Sequence, residues 1–388
     1  MTRSQIFDNA RRIVIKVGSG VLTNEHGLDL ARVAGLADQM ARLAQSGRQL
    51  VLVTSGAVAS GQAKLGLKRD QLRSVPAKQA AAALGQSGLM RAYEEAFAAH
   101  GVNVAQVLLT GSDLNNRERY NNIHNTLSTL LEWRVVPIVN ENDTVATQEI
   151  QLGDNDNLAA MLTILLHADL MVNLTNVSGV MDADPRVNPK AKRIPVVEKV
   201  DAGLLQAASA QPGAVGRGGI LSKVVAAEKA ACGGVPAIVA NGTEEAIIDR
   251  LARGEDLGTL FPPLGSRLTG RKHWIAFTAE HDGAVVVDAG AVPPIVEQGK
   301  SLLAVGIVKV LGRFAPQSAI RVLGPNEMVL GVGLSNYSSE VIDRIKGLRA
   351  SEIAQLSDIN GSEVVIHRDN LAVFSGDEEE SLACLLSN

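Results

Sequence analysis

Short apolar runs along the chain alternate with stretches whose apolar residues recur every three or four positions. Ile13-Val14-Ile15-Lys16-Val17 has strand length and ends at a glycine; Leu30, Val33, Ala37, Met40 and Ala44 then mark one face of a helix. Leu50 to Thr54, Val104 to Leu109, Val135 to Val139, Leu170 to Leu174 and Ala237 to Val239 predict further short strands, most of them separated by helical segments. Such alternation predicts an α/β fold with a mainly parallel open sheet sandwiched by helices, here over residues 1-255. Between Gly254 and Arg271 the pattern breaks into Gly258, Pro262, Pro263, Gly265 and Gly270, which predicts a linker over 256-273. From Trp274 the runs shorten (Ala284 to Val287, Leu302 to Val310, Ala319 to Leu323, Met328 to Val332) and are punctuated by Gly, Pro or Asn, predicting a small β-rich domain over 274-375. Residues 376-388 open with Asp377, Glu378, Glu379 and Glu380 and read as a solvated acidic tail.

Composition narrows the class. With 388 residues, 46% hydrophobic and 20% charged, the chain can bury the cores of two or three domains. A formal charge of -4 gives no long-range attraction for nucleic acid or an acidic membrane. Two distant cysteines, Cys232 and Cys384, lack metal-ligand spacing and argue against a disulfide framework. No window approaches the ~18 apolar residues of a membrane span, and Met1 to Arg12 lacks the apolar core of a signal peptide. A cytoplasmic protein is therefore expected.

The densest chemistry lies just after two of the predicted strands. Asn140-Glu141-Asn142-Asp143 is followed ten residues later by Gly153-Asp154-Asn155-Asp156-Asn157, which gathers acids and amides where an open α/β sheet binds ligands, beyond the carboxyl ends of its strands. Such a group can fix an ammonium, hold lysines in place or help to coordinate Mg2+; helix caps and turns account for about two of its members. Lys16-Val17-Gly18-Ser19-Gly20 follows the first strand and suits a phosphate, though a tight turn beside a solvated lysine fits equally well. Thr54-Ser55-Gly56-Ala57 is either a carboxylate or phosphoryl cradle or an ordinary strand-to-helix turn. Gly216-Arg217-Gly218-Gly219-Ile220-Leu221-Ser222-Lys223 precedes an alanine-rich helix and is a second potential phosphate cradle or a plain loop. The seven histidines, among them His124, His167 and His281, show no metal or triad spacing.

Taken together, Lys16 to Thr23, Val53 to Ala57, Val139 to Asp143, Gly153 to Leu158 and Ala183-Asp184-Pro185-Arg186 resemble the glutamate 5-kinase family, in order and spacing. The resemblance covers nearly the whole chain, because these kinases often carry a C-terminal PUA domain and Asp282 to Ile359 is similar to one. It implies transfer of the γ-phosphoryl group of ATP to the side-chain carboxylate of L-glutamate, with Mg2+. It also implies feedback inhibition by L-proline and a homo-oligomer. By the same resemblance Lys16 and Gly18 serve the phosphates, Ser55, Asn140, Asp143 and Asn155 bind glutamate, and Thr175-Asn176 with Arg217, Gly218, Gly219, Ile220, Leu221, Ser222 and Lys223 bind the nucleotide. Lys16, Asp156 and Lys223 are the expected catalytic set, with Asp156 orienting the two lysines and Asp154 touching Mg2+ indirectly through water. The chain departs from the family pattern at Asn176, at Met181-Asp182 and in the Arg217 to Lys223 loop, all on the expected nucleotide side.

Three rival readings stand beside this one; the first, a catalytically silent regulatory paralogue with altered nucleotide loops, is opposed by the retention of Lys16, Asp156 and Lys223. A kinase of a related acid shares the scaffold, but Asp143 favours a free α-amino acid over N-acetylglutamate, whose acetyl group removes the ammonium. An RNA-binding protein working through its C-terminal domain requires a basic footprint. From Arg271 to Asp369 there are ten basic and eleven acidic side chains, and only Arg344, Lys346 and Arg349 cluster, which leaves RNA binding at most an auxiliary role.

Overall fold

The structure, a computed structural model, describes the chain except residues 1, 147–153, 184–187, 189, 210–218, 265–271, 273–274, 276–280, 357–361 and 375–388, and the side chains of Arg69, Asp70, Asp154, Ser209 and His281. Gly153, Asp184-Pro185-Arg186, Arg217, Gly218 and the acidic tail therefore lie outside the described residues. The chain divides into two compact units, Met1–Leu264 and Gly265–Asn388.

In the first unit α1 (Arg3–Asn9) leads into β1 (Arg12–Val17), a helical turn α2 (Ser19–Leu22) and a hairpin of β2 (Thr23–Asn24) and β3 (Gly27–Leu28). Then follow α3 (Leu30–Gln45), β4 (Gln49–Thr54), α4 (Ala57–Lys64), α5 (Val75–Ala98), β5 (Val104–Leu109), α6 (Gly111–Asn115), α7 (Arg117–Glu132) and β6 (Val136–Glu141). The unit closes with α8 (Asp154–Leu165), β7 (Leu170–Thr175), α9 (Ala202–Ser209), α10 (Ile220–Cys232), β8 (Ala237–Asn241), α11 (Ile247–Ala252) and β9 (Thr259–Phe261).

Seven strands form one sheet in the order β5-β6-β4-β1-β7-β8-β9, parallel throughout except where β9 runs against β8. From β1 the chain crosses to β4, goes on to the edge strand β5 and returns to β6 between them, then passes to the other side of β1 for β7 and β8. This topological switch opens a crevice beyond the strands' carboxyl ends. β6 and β7 are buried along their whole length, as parallel strands covered on both faces must be. In α3, Asp29 caps the first turn by accepting a hydrogen bond from Arg32 N at 3.0 Å, and Val33, Leu36, Ala37, Met40, Ala41 and Leu43 are buried. Leu30, expected on that face, lies at the helix start and is 63% exposed.

Three strands run further than their apolar runs predict. β6 takes in Asn140 and Glu141, β7 takes in Thr175, and β8 reaches Asn241, so polar residues expected beyond the strands form their last rungs. The stretch expected as a linker also supplies a strand. Thr259–Phe261 is buried against β8, with Thr259 Oγ1 donating to Ile194 O at 2.7 Å and accepting from Val180 N at 2.8 Å. Two glycines bring α4 and α5 into backbone contact: a Cβ on Gly61 would lie 1.8 Å from Ala81 O, and one on Gly85 1.9 Å from Ala57 O.

The second unit is β-rich. A five-stranded sheet runs β12-β10-β13-β14-β16, made of β10 (His281–Val287), β12 (Ile307–Gly312), β13 (Ala319–Leu323), β14 (Val329–Leu334) and β16 (Leu371–Val373). β11 (Leu302–Leu303) pairs separately with β15 (Val364–Ile366). The expected single strand Leu302 to Val310 is thus split between two sheets by the turn Ala304–Gly306. Val285, Val287, Ile320, Val322, Leu330 and Ile366 are among the residues of its core.

One half-buried contact between α8 and α10 makes the fold pH-dependent. Lys229 Nζ donates to Asn157 Oδ1 at 2.9 Å, and burial lowers the ammonium's pKa to about 8. A base whose pKa falls on folding destabilises the fold while charged. That cost is present in full below pH 8 and disappears as pH rises toward the ordinary lysine value of ~10.4. Lys229→Met is therefore expected to raise the melting temperature at pH 7, with the gain shrinking between pH 8 and 10; a gain unchanged with pH would contradict this origin.

Candidate active site

The sequence folds so that four strand ends converge, those of β1, β4, β6 and β7. Lys16 is the penultimate residue of β1 and sits in register with Asn173 of β7, so their side chains leave the sheet as neighbours on one face. Asp156, the third residue of α8, meets them there. Its Oδ1 accepts from Lys16 Nζ at 2.5 Å and from Asn173 Nδ2 at 3.0 Å; its Oδ2 accepts from Lys223 Nζ at 3.1 Å and from Ser222 Oγ at 2.7 Å. Lys16, Asp156 and Lys223 are all buried, Asp156 to 2% exposure. One carboxylate between two ammoniums leaves a net positive charge at the crevice.

Burial by itself would raise the Asp156 carboxyl pKa. The charges of Lys16 and Lys223 and the hydrogen bonds from Lys16 and Ser222 outweigh it and hold the carboxyl well below its usual range. Burial also lowers the Lys16 ammonium; Asp156 opposes that and the like charge of Lys223 adds to it. The Asp156 direction favours the ionised carboxylate, while the Lys16 direction records the cost of enclosing its ammonium, which Asp156 offsets in part.

A second network lies on the β4 and β6 side. Asn155 Nδ2 donates to Ser55 Oγ and to Asn140 Oδ1, each at 3.0 Å, and its Oδ1 accepts from Glu141 N at 3.1 Å. Asn140 Nδ2 then donates to Gln86 Oε1 at 2.8 Å, so α5 and α8 and the ends of β4 and β6 are tied together. Gly56 starts α4 with φ of 109°, a left-handed conformation that glycine adopts without strain, and this turns the chain sharply after Ser55. Asp143 follows β6 in a turn whose Asn142 N donates to Leu109 O at 2.7 Å.

These groups line one cavity of about 600 Å³. Its walls include Lys16, Gly18, Ser19 and Gly20 after β1; Ser55 and Gly56 after β4; Asn140, Glu141 and Asp143 at β6; Asn155 and Asp156 on α8; Thr175 and Asn176 after β7; and Lys223 on α10. Of the loop expected at the nucleotide, Gly219 caps α10 and accepts from Lys223 Nζ at 3.3 Å, Ser222 reaches Asp156, and Ile220 is buried in the core beside the half-buried Leu221. Gly18 has ordinary extended backbone, while a Cβ on Gly20 would meet Asn176 Nδ2 at 3.2 Å, so the first glycine loop and Asn176 are in contact. The Asp154 backbone opens α8.

Sequence reasoning missed Asn173, Gln86, Arg73 and Lys78, the last two lining the same cavity. Asn173 had a signal, an amide inside the buried apolar run Leu-Met-Val-Asn-Leu-Thr. Lys78 and Gln86 come from the start and middle of α5, Arg73 lies just before its N-cap Ser74, and none of the three carries a motif.

The sequence model of the amino acid kinase family matches residues 11–241, a span that holds every strand of the large sheet except β9. The chain belongs to the amino acid kinase family. A PUA domain model matches residues 283–356, within the second unit. The glutamate 5-kinase of Syntrophus aciditrophicus (strain SB) is 47% identical over 371 residues, covering 96% of each chain. Those of Pelobacter propionicus and Geobacter sp. (strain M21) are each 46% identical over 372 residues, covering 96% of this chain and all of the relative. Identity at that level along nearly full length sets the chain among the glutamate 5-kinases within the amino acid kinase family.

The Asp156 cluster also carries a stability consequence. Asp156→Asn would leave two buried ammoniums without their counter-charge, a change that typically costs about 3 to 5 kcal/mol. Urea denaturation at pH 7 is expected to show a loss of that order; a loss under about 1 kcal/mol would mean the carboxylate does not hold the lysines.

Proposed function

We propose that this chain transfers the γ-phosphoryl group of ATP to the side-chain carboxylate of L-glutamate, forming L-glutamyl 5-phosphate, the first step of proline synthesis. The observation that carries this reading is the buried Lys16–Asp156–Lys223 cluster in a cavity that Asp143 and Asn155 also line. The side-chain carboxyl of glutamate has a pKa of ~4.3, so the nucleophile is ionised at neutral pH and needs no general base. A carboxylate oxygen forms a bond to the γ-phosphorus while the bond to the β–γ bridging oxygen breaks, and ADP leaves with that oxygen. The difficulty of the reaction is bringing an anion to a triphosphate in line.

Each part of the cavity then takes a role. Lys16 and Lys223 draw charge from the transferring group, and Asp156 fixes the distance between them. Asn155, held by Ser55, Asn140 and Glu141 N, orients the acceptor, and Asp143 attracts its ammonium. Thr175 and Asn176 with the backbone at Gly18 and the start of α10 receive the nucleotide. Mg2+ bound to the triphosphate would supply further neutralisation of charge, with Asp154 the residue proposed to touch it through water. Among the described residues no cluster of three or more His, Cys, Asp or Glu is close enough to hold a metal by itself. Inhibition by L-proline near the acceptor site, a homo-oligomer and a cytoplasmic setting complete the proposal; among the described residues no helix is long and apolar enough to cross a membrane.

The test is ADP release by purified protein with Mg-ATP and, in turn, L-glutamate, N-acetyl-L-glutamate, L-aspartate or no acceptor, with and without L-proline. Turnover with L-glutamate alone, reduced by L-proline, is expected. Folded protein that turns over N-acetyl-L-glutamate in preference, or no acceptor at all, would overturn the assignment.

A further inference from the structure

Four cationic side chains face the cavity, and only two of them have work in the account so far. Lys16 and Lys223 are bound to Asp156. Arg73 and Lys78 line the same cavity and make no side-chain hydrogen bond or ion pair among the described residues. Their position in the fold is fixed. Lys78 lies in the first turn of α5, whose N-cap Ser74 accepts from Ala77 N. The next residue, Gln79, donates through Nε2 to Ala146 O at 3.1 Å, three residues past Asp143, and two turns later Gln86 accepts from Asn140. The start of α5 is thus fastened to the turn that carries Asp143, on the β4 and β6 side of the switch point. The Lys16–Asp156–Lys223 cluster is on the β1, β7 and α10 side.

An α-amino acid that presents its side-chain carboxylate to that cluster has its ammonium and its α-carboxylate on one carbon at the far end. The ammonium has Asp143 and Glu141 to meet. The α-carboxylate, once removed from bulk water, needs a cation or it opposes binding. We propose that Lys78, assisted by Arg73, is the recognition point for the α-carboxylate of the acceptor, and so selects an α-amino acid over an amine that carries only the distal carboxylate. The inference rests on the acceptor named above. Lys78 is half-buried and Arg73 exposed, so Lys78 carries the larger share, since a solvent-exposed charge is screened. Glu141 and Asp143 with Lys78 and Arg73 on the β4 and β6 side, and the Lys16–Asp156–Lys223 cluster on the β1 and β7 side, give the cavity a polarity that matches glutamate.

The interaction is the same in the ground and transition states, so its loss should appear in KM and not in kcat. Steady-state kinetics on the full chain at saturating Mg-ATP would compare wild type, Lys78→Met and Lys78→Arg, with L-glutamate as substrate and 4-aminobutyrate, which lacks only the α-carboxylate, as competitive inhibitor. Lys78→Met is expected to raise the KM for L-glutamate about 10- to 100-fold, while kcat and the KM for ATP shift by less than about threefold. Lys78→Arg should restore most of the loss, and the inhibition constant of 4-aminobutyrate should not move. An unchanged KM for L-glutamate, a rise in the KM for ATP instead, or a parallel weakening of 4-aminobutyrate overturns the inference. Wild type that turns over no L-glutamate overturns the acceptor assignment and this inference with it; active wild type with an indifferent Lys78 variant overturns the inference alone.

Discussion

The site depends on one buried carboxylate. Asp156 accepts four hydrogen bonds, two from lysines that arrive from strand β1 and helix α10, far apart in the chain. Two lysines enclosed together lose hydration and repel each other, and the carboxylate between them offsets both costs. The carboxylate in turn stays ionised because the lysines are there. Each partner holds the others, and this mutual dependence sets the spacing of the two lysines at the crevice.

The fold is arranged to bring that cluster together. A switch in strand order at β1 places Lys16 and Asn173 in register on neighbouring strands and leaves the crevice open above them. The first turn of α8 then supplies both networks. Asn155 faces the β4 and β6 ends and Asp156 the β1 and β7 ends, so consecutive residues bind what would be the acceptor and what would be the phosphate cations. The glycine contact between α4 and α5 fixes α5 against the turn after Ser55, and through Gln79 and Gln86 fixes it to the end of β6 as well. Positioning on strand ends and helix starts keeps the geometry rigid where catalysis by charge requires it.

Much of this was legible in the sequence, for physical reasons. Parallel strands buried on both faces are apolar along most of their length, which is why β1, β4, β6, β7 and β8 stand out as apolar runs; the edge strand β5 is partly exposed but carries a similar run. The acids and amides between Asn140 and Asn157 stood out because such residues are rare beside buried strands unless they bind something. Strand ends were misjudged where a polar residue is buried by a ligand crevice, not by the core: Asn140, Glu141 and Thr175 are strand residues that hydropathy assigns to loops. β9 was hidden because three residues between glycine and prolines give no periodicity. In the second unit Val364–Ile366 and Leu371–Val373 are too short to signal, and their pairing partners are distant in sequence. Lys78 and Arg73 carry no motif, because it is the packing of α5 that gives them their place.

The central claim is that Lys16 and Asp156 act as one unit. The most direct measurement is kcat for Lys16→Met, Asp156→Asn and the double variant, taken as a cycle against wild type with L-glutamate and Mg-ATP. Each single change is expected to lower kcat about a hundred- to a thousandfold, the size seen when one preorganised charge-stabilising donor is removed. The double variant should be no more than about tenfold worse than either, because once one partner is gone the other is misplaced or uncharged. Losses that multiply in the double variant would show two independent contributions and contradict the account.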